Sequence, residues 1–380
     1  MRKTITIGDL GTIITGKTPP TTNKNYYGDY AVFIKPTDIS EQSKYTYETE
    51  EMYSKLAAEK YESSLIPKGA ICVPCIGTIG TKMTMAPCDC YTNQSINSIV
   101  CNENYDNEYV YYLIKNFLPG LKSYNLGTAS GREYVSKSNF EKIELVAEQD
   151  KTIQKKIGEF LSRYDSLIEN YQKRIKLLEE AAQRLYKEWF VDLHFPGHEN
   201  VKIVDGVPEE WEKKKVGDIT PIKTGKKDAN FGTSDGAYPF FTCSQEPIKA
   251  PSYSFDTSAV ILAGNGDFNV KLYRGKFEAY QRTYVLEPTN EKMLYLLYFC
   301  ISENMNRLAT GASGSTIKFL TKGMIESLVI NKPSTIVLDS FNQIIEPIRT
   351  QKENLQTQIR LLTEARDRLL PRMMSGEIEV

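Results

Sequence analysis

The sequence is poor in the residues on which most active sites and export signals depend. It has only two histidines, and its seven cysteines are an odd number. No apolar stretch approaches the roughly 20 residues that a membrane helix needs, and the residues after Met1 do not form the apolar core of a signal peptide. We therefore expect a cytoplasmic protein with no membrane partner, whose thiols are reduced rather than paired in disulfides.

The charge is close to balanced. Lys and Arg number 47 and Asp and Glu number 48, which leaves a net charge of −1. A protein whose whole surface contacted phosphates would be more basic. Any contact with nucleic acid must therefore come from local clusters of basic residues, or from another subunit.

Motifs that would identify an enzyme are absent or lack the required neighbours. Gly11 and Gly16-Lys17-Thr18 match the phosphate-binding loop pattern, but Pro19 and Pro20 follow, and they cannot open the helix that such a loop requires. The Asn/Asp-Pro-Pro-aromatic motif for methyl transfer to a base amine does not occur. A nuclease-like series, Asp205 with Glu212-Lys213-Lys214, is a short string of a kind that is common in proteins. We expect no catalytic site in this chain.

Four cysteines could be read as zinc ligands. Cys72 and Cys75 are followed by Cys88 and Cys90, a spacing that four thiolates around zinc could use. The alternative is that they are buried, because a free cysteine packs as a small apolar residue. The corresponding region of the second half, Ala259–Gly264, has no cysteine. We therefore expect no metal.

The chain contains an internal repeat. Short phrases recur in the same order: Thr15-Gly16-Lys17 as Thr224-Gly225-Lys226, Ala129-Ser130-Gly131 as Ala312-Ser313-Gly314, and, 184 residues apart, Leu177-Leu178 as Leu361-Leu362 and Arg184-Leu185 as Arg368-Leu369. Ordered matches at a nearly constant offset indicate a tandem duplication of a unit of roughly 185 residues.

A seven-residue apolar period predicts a long helix at the end of each repeat. The first seam is Ile157, Tyr164, Tyr171, Leu178 and Leu185, and the second is Phe341, Ile348, Leu355, Leu362 and Leu369. We expect the two helices to pair as an antiparallel coiled coil, because a globular domain separates them. The alternative is that each helix packs alone on its own domain. Pro347 is expected to kink or delay the second helix.

The predicted fold class is α+β, with two similar mixed α/β domains. The first domain covers residues 1–150 and its helix residues 151–192, and the second domain covers residues 193–333, with its helix and tail at 334–380. Strands are expected at Tyr30–Ile34, Ala70–Val73, Ile96–Val100 and Ala259–Leu262, and short helices at residues 106–118 and 290–308.

Several phrases, found in order along the chain, are similar to those of one family. They are Gly16-Lys17-Thr18-Pro19, Leu185-Tyr186-Lys187-Glu188-Trp189-Phe190-Val191, Val207-Pro208-Glu209-Glu210-Trp211, and Leu369-Leu370-Pro371-Arg372-Met373-Met374-Ser375-Gly376-Glu377. Together they resemble the specificity subunit of Type I restriction-modification enzymes, over the whole chain.

The resemblance implies a non-catalytic DNA reader in a bacterial defence system. Each globular domain would be a target-recognition domain that reads one half of a bipartite, asymmetric site in double-stranded DNA, and the helices would set the spacer. Two methyltransferase subunits would dock on the helices and bring S-adenosylmethionine. Restriction subunits, where present, would add ATP- and Mg²⁺-dependent translocation and cleavage, so no cofactor is expected in this chain.

Candidate DNA-contacting residues are the Arg, Lys, Asn, Gln, Ser and Thr side chains in segments that read as loops, because these types contact base edges and phosphates. In the first domain they are Lys17, Thr18, Lys35, Lys82, Gln94, Ser130 and Arg132. In the second they are Lys226, Lys227, Asn265, Lys271, Gln281, Arg282, Ser313, Ser315 and Lys318.

Other functions remain open at this point. The repeated helices alone would also suit a coiled-coil scaffold without DNA specificity, and the reader could serve a methylation-only or another defence system. Nucleotide binding through Gly11–Thr18 would make the chain an enzyme.

Overall fold

The computed structural model describes residues 2–125, 127, 133–312 and 318–379. The chain forms two compact units. Unit 1 consists of Met1–Arg174 and Leu355–Val380, and unit 2 of Ile175–Asn354. Each unit therefore contains one globular domain and a part of each long helix.

Unit 1 combines short strands with helices. Its strands are β1 (Arg2–Thr6), β2 (Gly11–Thr15), β3 (Tyr27–Gly28), β4 (Ala31–Ile34), β5 (Met52–Tyr53), β6 (Ile71–Pro74), β7 (Thr84–Met85), β8 (Tyr91–Thr92), β9 (Ile96–Cys101) and β10 (Glu144–Glu148). Its helices are α1 (Ile7–Leu10), α2 (Lys55–Lys60), α3 (Asn107–Phe117), α4 (Lys137–Glu141) and the start of α5 (Lys151–Tyr186). The strand orders are β2-β9-β6-β7, β3-β5-β4-β8 and the pair β1-β10.

The core of unit 1 joins a sheet to α3. Helix α3 begins after Asp106, whose carboxylate accepts the backbone N–H of Tyr109 at 3.0 Å. Its apolar residues share one buried cluster with Ile71 and Ile99 of the sheet and with Ile157 of α5. The globular domain and the first turns of the long helix therefore have a common core.

Unit 2 repeats this plan with longer strands. Its strands are β11 (Ile203–Val204), β12 (Val207–Pro208), β13 (Glu212–Lys215), β14 (Ile222–Thr224), β15 (Tyr238–Phe241), β16 (Ile248–Ala250), β17 (Phe255–Ala263), β18 (Val270–Ala279), β19 (Thr283–Leu286) and β20 (Val329–Lys332). Its helices are α6 (Val216–Ile219), α7 (Leu294–Glu303), α8 (Met305–Gly311), α9 (Lys322–Glu326) and the first half of α10 (Thr335–Ser375), whose second half belongs to unit 1. The six-stranded sheet has the order β14-β19-β17-β18-β15-β16, and β13 pairs with β20 as β1 pairs with β10.

The four strands expected from the sequence are present as β4, β6, β9 and β17. The helix expected at residues 290–308 is divided: a 3₁₀ turn covers Glu291–Met293, and Asn304 separates α7 from α8. The delay expected at Pro347 is wrong, because α10 already begins at Thr335, twelve residues earlier, and continues to Ser375. The proline removes one helix hydrogen bond, but Ile345 and Ile348 on either side pack on the core and hold the helix.

Helices α5 and α10 run antiparallel within each unit. In unit 1, Asp165 of α5 pairs with Arg366 of α10, and Ile157, earlier in α5, shares a core cluster with Met373, later in α10. In unit 2, the Glu179 carboxylate lies 2.5 Å from the Lys352 ammonium, and the Trp189 and Phe341 rings lie 5.8 Å apart. Later residues of α5 therefore contact earlier residues of α10, so the two helices are antiparallel, as expected from the sequence.

None of the ten residues assigned to the two seams is exposed. Ile157, Phe341 and Leu355 are buried, and the other seven are half-buried. Helix α5 ends in a wider turn over Lys187–Val191, where the Asp192 N–H donates to the Lys187 carbonyl at 2.8 Å. Among the helices of the described residues, none combines the length and the apolarity needed to cross a membrane.

The cysteines of unit 1 differ sharply in burial. Cys72, Cys75 and Cys90 are buried, whereas Cys88 is exposed. Burial raises the pKa of Cys72 and of Cys75 to about 12, and it also raises the pKa of Cys90. Within the described ranges, no group of three or more His, Cys, Asp or Glu residues is placed to hold a metal ion.

One prediction concerns Gly225, which follows β14 and passes directly beside the backbone at Ala279. A Cβ built on Gly225 would overlap the Ala279 carbonyl oxygen. Gly225→Ala should therefore lower the free energy of unfolding of unit 2 by about 1–3 kcal/mol, the usual cost of overpacking. The matched control is Gly323→Ala in α9, where a Cβ meets nothing within 4 Å. Urea unfolding that shows equal midpoints for the two variants would contradict the assignment.

A second prediction concerns thiol reactivity. With a pKa of about 12, Cys72 and Cys75 carry only about one thiolate in ten thousand at pH 8. Of these four cysteines, iodoacetamide should therefore alkylate Cys88 first in the folded protein, and peptide mass spectrometry should find Cys72, Cys75 and Cys90 unmodified until the protein unfolds. Cys88→Ser should remove the early adduct. Stoichiometric zinc in the purified protein, with Cys88 protected, would contradict this account.

Candidate nucleic-acid interface

In unit 1, the segment after β2 is bonded to the segment before β9. The Gly16 N–H donates to the Ile96 carbonyl at 3.2 Å, and the Lys17 N–H donates to the Thr92 carbonyl at 2.9 Å. The Thr18 hydroxyl donates to the side-chain oxygen of Gln94. Three of the predicted DNA-contacting residues, Lys17, Thr18 and Gln94, are thereby brought together, and all three are exposed.

The loop after β6 extends the same edge. The Cys75 N–H donates to the Ser95 carbonyl at 2.7 Å, next to Gln94. The Val135 N–H then donates to the Cys75 carbonyl at 2.9 Å, and Ile76 pairs with Tyr134. Four chain segments therefore meet at one edge of unit 1: those after β2, before β9, after β6 and before α4.

Unit 2 builds the same edge from the same four segments. The Gly225 N–H donates to the Thr283 carbonyl at 3.2 Å, and the Gly264 N–H to the Arg282 carbonyl at 2.9 Å. The Leu320 N–H donates to the Gly264 carbonyl at 2.8 Å, and Asn265 pairs with Phe319. These bonds correspond one by one to those of unit 1.

The correspondence gathers most of the candidates of the second domain. Lys227 accepts the Gln281 N–H at its carbonyl, at 2.9 Å. Lys226, Gln281, Arg282 and Lys318 are exposed, and Lys227 and Asn265 are half-buried. Gln94 and Gln281 occupy equivalent positions. Gln94 precedes Ser95, whose carbonyl accepts from the loop after β6, and Gln281 precedes Arg282, whose carbonyl accepts from the loop after β17.

Two candidates at this edge already have partners. Lys35 follows β4, and its ammonium lies 2.8 Å from Glu50 and 3.1 Å from Glu51. Lys271 donates to the Ser244 carbonyl at 2.9 Å and to Asn269, and burial lowers its pKa. Both ammonium groups hold neighbouring loops in place in this structure.

Lys82 is half-buried in the loop between β6 and β7. The candidates Ser130, Arg132, Ser313 and Ser315 lie outside the described residues. None of the DNA contacts assigned to these candidates is tested by the geometry alone, so each stays a prediction.

Sequence reasoning missed three polar residues of this edge. Ser244 and Asn269 lie beside Lys271, and the Asn269 side-chain amide donates to the Cys243 carbonyl at 3.1 Å. In unit 1, Asn93 donates its N–H to the Ile34 carbonyl at 3.1 Å. Aligning the strands of the two repeats would have indicated the region, because Cys243 and Ser244 follow β15 as Lys35 follows β4.

The geometry also explains the repeated Thr-Gly-Lys phrase. A Cβ on Gly16 would overlap the Thr92 carbonyl oxygen, as one on Gly225 would overlap that of Ala279. No helix opens at Lys17-Thr18, since the chain continues to a 3₁₀ turn at Lys24–Tyr26. The glycine of this phrase therefore permits close backbone packing.

The nuclease-like series is also accounted for, since its Glu212 carboxylate pairs with the Lys214 ammonium at 3.0 Å.

Comparison with known proteins gives consistent results. The protein-family model named Type I restriction modification DNA specificity domain matches residues 2–180 and again residues 208–356. The EcoDI specificity subunit of Escherichia coli is 38% identical over 176 residues, which cover 45% of this chain and 39% of that subunit. The MjaIX specificity subunit of Methanocaldococcus jannaschii is 26% identical over 403 residues, which cover 98% of this chain and 93% of that subunit.

Among solved structures, the S subunit of the Type I restriction-modification system from M. genitalium aligns with a TM-score of 0.59 at 16% identity. The alignment covers 98% of this chain and 96% of that one. This likeness supports the fold, two α/β domains in tandem with long helices. Since the family model matches both repeats and most of the chain, this protein belongs to the Type I restriction-modification DNA specificity family, as a specificity subunit with two target-recognition domains.

Proposed function

We propose that the edge described above is the DNA-reading surface of each unit, and that each unit reads one half of a bipartite site. The observation that carries this proposal is the correspondence between the two edges. The same backbone bonds hold both, from Gly16 to Ile96 in unit 1 and from Gly225 to Thr283 in unit 2. A backbone repeated in this way presents side chains to a ligand in equivalent positions.

The side chains at equivalent positions differ, so the two half-sites should differ. Ser95 in unit 1 corresponds to Arg282 in unit 2, and Thr18 corresponds to Lys227. Arginine contacts guanine with two hydrogen bonds and glutamine contacts adenine in the same way, whereas serine and threonine discriminate less. An asymmetric site follows, with Gln94 and Gln281 as the common element.

Helices α5 and α10 would set the distance between the half-sites. Residues of α5 rise by about 1.5 Å each along a straight helix, and both helices run through both units. The spacer should therefore have one fixed length. Its length is a property of the helices rather than of either domain.

The partners and cofactors follow from the family. Membership implies assembly with the other subunits of a restriction-modification complex and with DNA. We infer two methyltransferase subunits docked on the helices, with S-adenosylmethionine bound to them. Restriction subunits using ATP and Mg²⁺ would join where the system includes them. The net charge of −1 supports this division, because the partners can then supply phosphate contacts.

The first test is methylome sequencing of a host that expresses this chain with its cognate methyltransferase subunit. A methylated bipartite motif with a single spacer length should appear, and it should be absent from a host that lacks only this chain. Unchanged methylation, with both proteins expressed, would instead favour a scaffold without DNA specificity.

The second test is Arg282→Ala. Losing one good base contact costs about 1–3 kcal/mol. The preference of methylation for the cognate base should therefore fall roughly 5- to 150-fold in one half-site, and the other half-site should be unchanged. Libraries randomised in each half-site would measure this preference. Arg307→Ala, on the exposed surface of α8 and outside both the edge and the long helices, is the control and should leave both half-sites unchanged. Equal loss at both half-sites would show that Arg282 does not read bases.

A further inference from the structure

Two equivalent tyrosines connect the globular domains to the long helices. The phrase Tyr112-Leu113 of α3 recurs in the second repeat as Tyr295-Leu296 of α7. The Tyr112 hydroxyl donates to the Asp165 carboxylate on α5, and the Tyr295 hydroxyl donates to the Glu346 carboxylate on α10. Each unit therefore contains one carboxylate on a long helix that binds a phenol of the domain.

In unit 1, the carboxylate is deeply buried. The side chains of Asp165 and Arg366 are only 5% and 7% exposed, and the Arg366 guanidinium donates to the second oxygen of Asp165. One carboxylate thus binds α3 and α10 at the same time. We call Tyr112, Asp165 and Arg366 the unit 1 lock.

A buried lysine extends the unit 1 lock into the domain. The side chain of Lys44 is 2% exposed and pairs with Glu108. Its ammonium also lies 5.1 Å from the ring centroid of Tyr111 and 5.2 Å from that of Tyr112. The charges are therefore matched through the cluster, which is the condition for burying them without a large penalty.

In unit 2, the corresponding carboxylate is Glu346. It accepts from Arg274 of β18 at 3.0 and 3.2 Å, from Tyr295 of α7, and from Arg349 of its own helix at 3.2 Å. Burial alone would raise the pKa of Glu346, but these three donors outweigh it and lower the pKa. We call Arg274, Tyr295 and Glu346 the unit 2 lock.

The two carboxylates do not occupy equivalent repeat positions. At the helix offset of 184 residues, Asp165 corresponds to Arg349, and Glu346 corresponds to Ser162. Glu346 therefore lies one turn nearer the start of its helix, and its longer side chain spans the difference. The phenol–carboxylate bond is present in both repeats although the helical residue that makes it differs, which indicates a shared requirement rather than a shared residue.

We propose that the two locks are positioning devices that hold each recognition domain in one orientation on the helices and thereby make the complex discriminate between spacer lengths. The inference rests on the proposed function, since it concerns the same bipartite site. Apolar contacts are non-directional and tolerate small sliding movements. A buried carboxylate with specific donors does not, because a shift leaves a charge unpaired in a poorly solvated place.

The experiment uses Glu346→Gln and Tyr295→Phe in the full chain. Each keeps the shape of the side chain and removes part of the lock. The matched control is Glu364→Gln, which lies on the same helix and whose carboxylate pairs with Arg360 of that helix rather than with any residue bonded to Glu346. Thermal unfolding confirms that each variant is folded, and Tyr295→Phe is the milder change if Glu346→Gln is unstable.

The first readout is methylation, with the cognate methyltransferase, of sites whose spacer is cognate or one base pair shorter or longer. Spacer discrimination is the ratio of methylation at the cognate spacer to methylation at the other two. In Glu346→Gln and in Tyr295→Phe this ratio should fall about tenfold, the size expected for one charge-assisted hydrogen bond. Base preference within each half-site should stay unchanged, and Glu364→Gln should behave as the unaltered chain. Unchanged spacer discrimination in a folded lock variant, or a uniform loss at all spacers, would overturn the proposal.

The second readout does not depend on DNA recognition. Spin labels carried by unnatural side chains at Lys249 of β16 and Gln351 of α10, both exposed in unit 2, report the distance between domain and helix. The distance distribution should broaden in the lock variants only, and equal widths in all variants would overturn the lock. If the unaltered chain directs no bipartite methylation, the proposed function fails, and this measurement still decides whether the lock exists.

Discussion

Each long helix has two partners inside a unit, the other helix and the globular domain, and it must satisfy both with one set of side chains. Ile157 of α5 lies in a core cluster that also includes Tyr109 of α3 and Met373 of α10. Phe341 of α10 lies in a cluster with Phe299 of α7 and Trp189. Domain and helices therefore share their cores, so neither can be altered without the other.

This sharing explains where polar groups are tolerated in the interior. Apolar burial supplies most of the free energy of folding, but it does not specify one orientation. Asp165 and Arg366 are both buried, and each is paired. Replacing such a pair by apolar residues is often neutral for stability, so their presence is better explained by specificity of position than by stability.

At the recognition edge, the backbone and the side chains have different roles. Corresponding backbone hydrogen bonds, such as those from Gly16 to Ile96 and from Gly225 to Thr283, build it in both units. Side chains are free to differ there because they take no part in these bonds. A duplicated scaffold can therefore carry two unlike readers, and a change such as Ser95 against Arg282 alters reading without altering the fold.

Much of this could be predicted from the sequence, because periodicity and repetition are local or linear signals. The apolar period of seven identified both long helices, and the ordered phrases identified the duplication and the family. The expected delay of the second helix at Pro347 was wrong, since proline propensity is local while the continuation of α10 depends on core packing by Ile345 and Ile348.

What the amino-acid sequence determined by itself is therefore the architecture: two α/β domains, two long helices and their order. Only the tertiary structure decided which polar residues act on each other. Lys35 and Lys271 were DNA-contacting candidates in the sequence, yet their ammonium groups bind Glu50 and the Ser244 carbonyl, which lie 15 and 27 residues away along the chain. Tyr112, Asp165 and Arg366 are still farther apart in sequence, with separations of 53 and 201 residues. Pairing of buried charges depends on distances in space that no linear pattern encodes.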